Sequence, residues 1–145
     1  MKNLKNIMLI GFIALGALSF TTPLQDIWEV PAKYKTMKNP TDAKDSENLS
    51  IGESLYAKQC KSCHGKKGWG DGSKAKEMEG DLGDFSSDET QNQTDGELFY
   101  KITEGRNDMD GFSKKIRSDE DRWLVVNYLR TVSYTHLTLP TIYSV

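Results

Sequence analysis

The run CKSCH at residues 60–64 constrains this chain more than any other feature of its sequence. The 145-residue chain has only two cysteines and two histidines, and three of those four residues fall within these five positions. Thiol and imidazole groups at this spacing are typical of sites for redox chemistry, metal binding or covalent attachment of a prosthetic group. The rest of the sequence discriminates between these kinds of site.

Three kinds of site compete for this motif. A thioredoxin-like dithiol lies near a βαβ pattern, which the sequence lacks. A structural zinc site needs four protein ligands, and the motif supplies only three, Cys60, Cys63 and His64, whose tight spacing cannot close a tetrahedron. Attachment of a c-type haem uses both thiols for the haem vinyl groups and the following histidine for the iron. We therefore interpret Cys60 and Cys63 as covalent anchors of one haem c per chain, and His64 as an axial ligand of its iron.

The beginning of the chain predicts export. Two lysines precede an apolar run at residues 7–20, and Ala17 and Ser19 have the spacing of a signal-peptidase site. Residues 1–19 are therefore predicted to be a signal peptide. The run is shorter than the roughly 20 residues that span a bilayer, but an uncleaved anchor, which would keep the protein at the membrane, is the alternative. Both interpretations place the folded part outside the cytoplasm, in a bacterial periplasm.

Residues 132–145 are predicted to be a non-native tail. The string VSYTHLTLPT back-translates into a sequence that closely resembles a transposon-end adaptor used in sequencing-library preparation, and such scars are excluded from fold reasoning. The natural sequence is expected to end near Arg130 or Thr131. His136 lies in this tail, so His64 is then the only natural histidine.

The charge pattern excludes one class of partner. The formal net charge is −2, and no basic stripe stands unopposed, so nucleic-acid binding is not expected. Residues 77–97 contain eight acids and no Lys or Arg, whereas lysines are concentrated around the motif. We interpret these regions as two solvated faces.

Three helices are predicted from their N-terminal signatures. Ser50 with Glu53, and Thr94 with Glu97, have the spacing of a capping box. Ser118 is followed by three acids, which a helix dipole favours in the first turn. Apolar residues at helical spacing follow each start, and no strand is predicted.

Two segments are predicted to be irregular. Residues 20–49 contain three prolines and weak periodicity, so they are interpreted as an extended N-terminal arm, in which Trp28 and Tyr34 contact the domain surface. Residues 65–93 are rich in Gly and Asp and are predicted to form long loops. A loop of that length is unusual in a compact domain unless another group fills the core.

A methionine is the predicted second axial ligand of the iron, because a thioether sulfur is a soft ligand that raises the reduction potential. Two methionines follow His64. Met78 comes before any predicted helix that would turn the chain over the porphyrin, whereas Met109 lies in the loop between the second and third predicted helices. We therefore predict Met109 as the axial ligand.

Residues 50–131 resemble the class I c-type cytochromes. The string GESLYAKQCKSCHGKKGWGDG is similar to the first helix and attachment loop of that family, and DRWLVVNYLR to its last helix. The resemblance implies an all-α cytochrome c fold, with three to four helices wrapped around one covalent haem. It also implies that Gly52 and Tyr56 of the first helix contact Trp123, Tyr128 or Leu129 of the last. One departure is Asp110, which follows Met109 where many members have proline.

The predicted function is one-electron transfer between periplasmic or membrane redox proteins, an electron donor and an electron acceptor, without catalysis by the chain itself. One alternative is a haem subunit or domain of a respiratory oxidoreductase. Another is an open-site haem enzyme, if Met109 is not a ligand. A third is a structural interaction module with a disulfide between Cys60 and Cys63.

Overall fold

The computed structural model describes residues 27–134, which are mainly helical. The predicted signal peptide, residues 1–19, and residues 135–145 of the predicted tail lie outside the described residues. No helix within residues 27–134 is long and apolar enough to cross a bilayer. In chain order the elements are α1 (Ala32–Lys35), α2 (Ser46–Gln59), α3 (Lys61–His64), a 3-10 turn (Ala75–Glu77), α4 (Asp88–Gln91), α5 (Asp95–Glu104), β1 (Gly105–Arg106), β2 (Met109–Asp110) and α6 (Asp119–Tyr134).

The first long helix and the last one cross at close range, as the resemblance implies. A Cβ on Gly52 would lie 2.8 Å from the carbonyl carbon of Leu124, so only glycine allows the backbones of α2 and α6 this approach. One turn further along α2, the rings of Tyr56 and Tyr128 pack with their centroids 5.1 Å apart. The crossing therefore joins the two ends of the domain.

Helices α5 and α6 supply most of the core. Phe99 and Trp123 stack at 4.1 Å, with 14° between their planes. Val126 is fully buried, and most other apolar side chains of these two helices are at most a few per cent exposed. The buried cluster consists of Tyr56, Leu98, Phe99, Ile102, Phe112, Ile116, Trp123, Val125, Val126 and Leu129.

The predicted helix starts are confirmed for α5 and α6. Thr94 and Glu97 form the expected capping box, with the N–H of Thr94 donating to Glu97 at 2.8 Å. The N–H of Asp121 donates to the Ser118 hydroxyl at 3.2 Å. The predicted start of α2 at Ser50 is wrong. Its N-cap is Asp45, which accepts the Asn48 N–H at 2.9 Å, and Asp caps a helix as well as Ser does.

The segment before α2 packs against the rest of the molecule. The rings of Tyr34 and Tyr100 lie 4.7 Å apart, and Trp28 lies beneath two cations, so the predicted contacts of both aromatic residues are confirmed. The Asn39 amide donates to the Trp123 carbonyl at 3.2 Å and to Asn127 at 2.6 Å. This segment is less extended than predicted, because α1 and the first turn of α2 lie within it.

Three short features were not predicted. The 3-10 turn and α4 interrupt the segment that was predicted as long loops. Strands β1 and β2 pair antiparallel and form a short hairpin.

Helix α6 continues to Tyr134, and Val132 is buried with 7% of its surface exposed. The first residues of the predicted tail therefore belong to the last helix.

Candidate functional site

The CKSCH motif forms one helical turn at the end of α2. The N–H groups of Cys63 and His64 donate to the Cys60 carbonyl at 3.2 and 2.9 Å. Residues three apart on a helix share a face, so the two thiols project from the same side of this turn. Both cysteines are free and half-buried.

The loop after the motif folds back onto it. The N–H groups of Gly70 and Gly72 donate to the carbonyls of His64 and Cys63, both at 3.0 Å. A side chain on Gly72 would collide with the Cys63 carbonyl. The carbonyls at the end of α3, which have no partner within the helix, are thus satisfied by the loop, and this fixes the motif from its C-terminal side.

A buried tyrosine holds the same turn from the α2 side. Tyr56 is 1% exposed, and its hydroxyl donates to the Gly65 carbonyl at 2.7 Å. Burial raises the pKa of the Tyr56 phenol, so the hydroxyl keeps its proton and remains a donor. Gly65 follows His64 directly and has φ of +83°, a conformation that glycine adopts at little cost. Tyr56 therefore ties the position of His64 to the core.

The imidazole of His64 has the character of a metal ligand. Burial lowers its pKa from the ordinary 6.5, and a hydrogen bond with the Leu82 backbone opposes that shift, so the neutral ring is favoured at pH 7. Its Nδ1 atom is buried without a hydrogen-bond partner. The ring stacks on Phe85 at 4.5 Å, with 29° between the planes. A neutral imidazole with an unpartnered nitrogen is the form that binds iron.

Cys60 does not have the character of the attacking thiol of a redox dithiol. Burial and the neighbouring Cys63 raise the pKa of Cys60 to about 12. Catalytic dithiols have the opposite property, because the attacking cysteine needs a lowered pKa to form a thiolate. The local environment therefore argues against the thioredoxin-like interpretation.

Met109 lies in β2, where its backbone pairs with that of Arg106. Its side chain is half-buried and packs against the core cluster, as do Cys60 and Phe85. Met78 ends the 3-10 turn, and among the described residues it is not one of those that pack on this cluster. The structure thus brings Met109 and the motif to the same core.

Two contributors to the site were missed in the sequence. Tyr56 was interpreted only as a helix contact, and its hydrogen bond to the motif joins residues nine apart. Phe85 was not singled out, although it is one of few apolar residues in an acidic, glycine-rich segment. An isolated aromatic residue in such a segment signals a packing role, and this signal was available in the sequence.

The residues at the site fit a covalently attached haem. Two free thiols on one face of a turn, a neutral imidazole with an orphaned buried nitrogen and a thioether at the same core form the donor set that such a group requires. No group of three or more His, Cys, Asp or Glu side chains within residues 27–134 could hold a metal ion by itself.

Comparison with known proteins gives a consistent result. Seven chains of solved structures match. One belongs to the Kuenenia stuttgartiensis reducing HAO-like protein complex Kustc0457/Kustc0458, with 25% sequence identity and a TM-score of 0.53, over 63% of this chain. The match spans about half of that neighbour, 49% of its length. None of the curated proteins matches.

The fold agrees with a family assignment. The all-α arrangement, with its first and last long helices crossed, is the cytochrome c fold that the resemblance implies. The family described as cytochrome C oxidase, cbb3-type, subunit III matches residues 47–129, more than half of the chain. The chain therefore belongs to this family of c-type cytochromes, whose cofactor is covalently bound haem c.

Proposed function

We propose that this protein carries single electrons between redox proteins, with haem c held by thioether bonds to Cys60 and Cys63 and by His64 and Met109 as axial ligands. The observation that carries the proposal is the motif turn itself, with two free thiols on one face and a buried imidazole nitrogen without a partner. When bound, haem c supplies a one-electron couple between ferrous and ferric iron.

The side chains of this protein have two roles in the proposal. The motif turn holds His64 in one orientation, through the Tyr56 hydrogen bond and the two loop hydrogen bonds. The core cluster packs against Cys60, Phe85 and Met109, and a methionine ligand favours a higher potential than a nitrogen or oxygen ligand. A firmly held site rearranges little on electron transfer, which is the property that a carrier requires.

The proposed location is the bacterial periplasm, with the N-terminal segment as a cleaved signal or a retained anchor. Two observations support it: the lysines and apolar run at residues 2–20, and the membership in a family with covalent haem. N-terminal sequencing of the protein from a periplasmic fraction distinguishes cleavage near residue 19 from retention.

A second candidate function is that of a haem subunit or domain in a larger respiratory oxidoreductase. The family description names an oxidase subunit, and the structural neighbour belongs to a protein complex. Affinity purification of the tagged protein from its native membranes tests this candidate. Stoichiometric recovery with further redox subunits supports the subunit role, whereas recovery as a free protein that is rapidly reduced and reoxidised supports the carrier.

Covalent attachment is tested on protein expressed with haem-maturation machinery. Acid–acetone extraction should leave haem on the wild-type polypeptide, and Cys60→Ser or Cys63→Ser should each retain it through the one remaining bond. His64→Ala should lose the low-spin spectrum. Release of haem from the wild type, or a normal low-spin spectrum in His64→Ala, would contradict the assignment.

The axial methionine is tested with a matched pair of variants. Met109→Ala should remove the weak sulfur-to-iron band of the ferric protein in the far red, lower the potential and allow carbon monoxide to bind the ferrous protein. Met78→Ala should leave all three properties unchanged. The reverse result would move the ligand to Met78. A wild type that lacks the band and binds carbon monoxide readily would favour an open-site haem enzyme.

A further inference from the structure

The hairpin that carries Met109 is too small to hold its own position. Strands β1 and β2 have two residues each, joined by a turn in which Asn107 has φ of +51°. Even a longer two-stranded hairpin is only marginally stable in water. Phe112 anchors the chain beyond the hairpin, because it is buried and its N–H donates to Ile102 at 2.9 Å. The tip of the hairpin needs support from elsewhere.

Two polar contacts at the hairpin are exposed and therefore weak. Asp110 and Lys115 form an ion pair at 2.8 Å, with side chains that are 73% and 50% exposed. The N–H of Glu79 donates to Asp108 at 2.8 Å, also at the surface. Exposed ion pairs contribute little to stability, because water and salt screen them. These two exposed contacts therefore add little to the packing of Met109 on the core cluster.

The aromatic ring of Trp28 contacts the hairpin from the N-terminal arm. The guanidinium carbon of Arg106 lies 4.7 Å from the centroid of this half-buried ring, and the Lys101 ammonium lies 5.3 Å from it. Arg106 is the residue whose backbone pairs with Met109. A cation over the face of a tryptophan is attracted by the ring quadrupole. The ring thus contacts both the end of α5 and the strand opposite Met109.

The ring also offsets a repulsion between two like charges. Burial is the main cause that lowers the pKa of Lys101, Glu97 opposes it, and the positive charge of Arg106 lowers it further. Both cations face one ring, and Lys101 is held by Gln93 at 2.6 Å. The ring thus attracts both cations at the point where they lie close to each other.

The segment that presents Trp28 is itself anchored. Val30 is buried with 8% of its surface exposed, and the ring of Tyr34 packs on that of Tyr100 at 4.7 Å. A Cβ on Gly96 would collide with the Tyr34 carbonyl, so the backbone of this segment lies directly on α5. Trp28 is therefore held from the α5 side and is able to hold the hairpin in turn.

We propose that Trp28 is a positioning residue, which holds the β1–β2 hairpin, and with it Met109, against the domain by acting through Arg106. The proposal assigns a role to the N-terminal arm. It rests on the proposed function only in that Met109 is the axial ligand, and the position of the hairpin is measurable whether or not that ligation is correct.

Hydrogen exchange of the holoprotein tests the position of the hairpin. Trp28→Ala should raise amide exchange at residues 105–111 by about 2- to 5-fold, the factor that corresponds to one cation–π interaction at the surface, while exchange at residues 123–129 of α6 stays unchanged. Trp28→Phe, which keeps a ring, should restore most of the protection. Ile27→Ala, at a neighbouring position that is 78% exposed, should behave as wild type.

Spectroscopy of the same variants separates this proposal from the axial assignment. If Met109 is the ligand, Trp28→Ala should weaken the sulfur-to-iron band and lower the potential, and Trp28→Phe should restore both. If the wild type lacks the band but Trp28→Ala still raises exchange at the hairpin, the result supports the role of Trp28 and removes Met109 as ligand. Unchanged exchange at the hairpin, or an equal rise in α6, overturns the role of Trp28.

Discussion

Removal of a single hydroxyl group, in Tyr56→Phe, tests how the motif turn is held. The Tyr56 hydroxyl donates to the Gly65 carbonyl at 2.7 Å, and both residues are buried. Phenylalanine keeps the ring packing against Tyr128 and Phe85 and removes only the donor. The variant therefore isolates one hydrogen bond, the one that joins α2 to the residue after His64.

The expected magnitude follows from the burial of the acceptor. A carbonyl left without its donor in the interior costs about 1–3 kcal/mol. Because 1 kcal/mol shifts the Tm of a domain of this size by roughly 4 °C or more, the destabilisation should be readily visible. The effect should also depend on pH, since burial raises the pKa of the Tyr56 phenol above its ordinary value of 10.0. Unfolding releases that proton above about pH 10, so the wild type should lose stability there faster than Tyr56→Phe.

Urea denaturation and thermal melting of the holoproteins measure the effect, with Tyr128→Phe as the control. Tyr128 lies in the same aromatic pair but is less buried, so removal of its hydroxyl should change the free energy of unfolding by less than about 0.5 kcal/mol. The reduction potential of Tyr56→Phe should shift as well, because His64 is held less firmly. Equal Tm values for wild type and Tyr56→Phe would refute this account of the turn.

Three further predictions concern the frame around the site. Gly52→Ala should lower the free energy of unfolding measured in urea. Overpacking costs about 1–3 kcal/mol, which exceeds the gain in helix propensity of about 1 kcal/mol. The control Ser54→Ala, on the exposed side of α2, should not lower the free energy of unfolding. Arg122→Ala should lower the free energy of unfolding by about 1–3 kcal/mol, because the buried guanidinium donates to Thr103, Ile116 and Asp119. Arg122→Lys should recover only part of that stability. A chain that ends after Thr131 should melt below one that ends after Val132, and equal Tm values would show that Val132 does not stabilise α6.

Local signals in the sequence predicted the starts of α5 and α6 correctly, because their caps act within one turn. Thr94 and Glu97 satisfy each other, and no longer-range contact is needed to place that start. The same signature at Ser50 failed, since Asp45 lies one turn earlier and caps a longer helix. The residue pattern of a capping box can also lie inside a helix. When two residues could each cap the same helix, tertiary packing decides which of them does.

The role of the motif was predicted from its spacing and from the sequence around it, but the contacts that hold its turn were not predicted. The Tyr56–Gly65 hydrogen bond depends on the angle at which the motif turn leaves α2. The hairpin of Met109 has strands too short to show any alternation of polar and apolar residues. The contact of Trp28 with Arg106 joins segments far apart in the chain, and neither residue signals the other.

The close contact between Gly52 and Leu124 has a consequence for the order of folding. The two backbones that meet there belong to opposite ends of the domain, so the core is incomplete until α6 has been synthesised. At a typical 5–20 residues per second, the roughly 80 residues from Gly52 to the end of α6 take about 4–16 s. Helix α2 therefore remains without its partner throughout that interval. This delay is compatible with the proposed export, because translocation through a narrow channel requires a polypeptide that has not yet closed on itself.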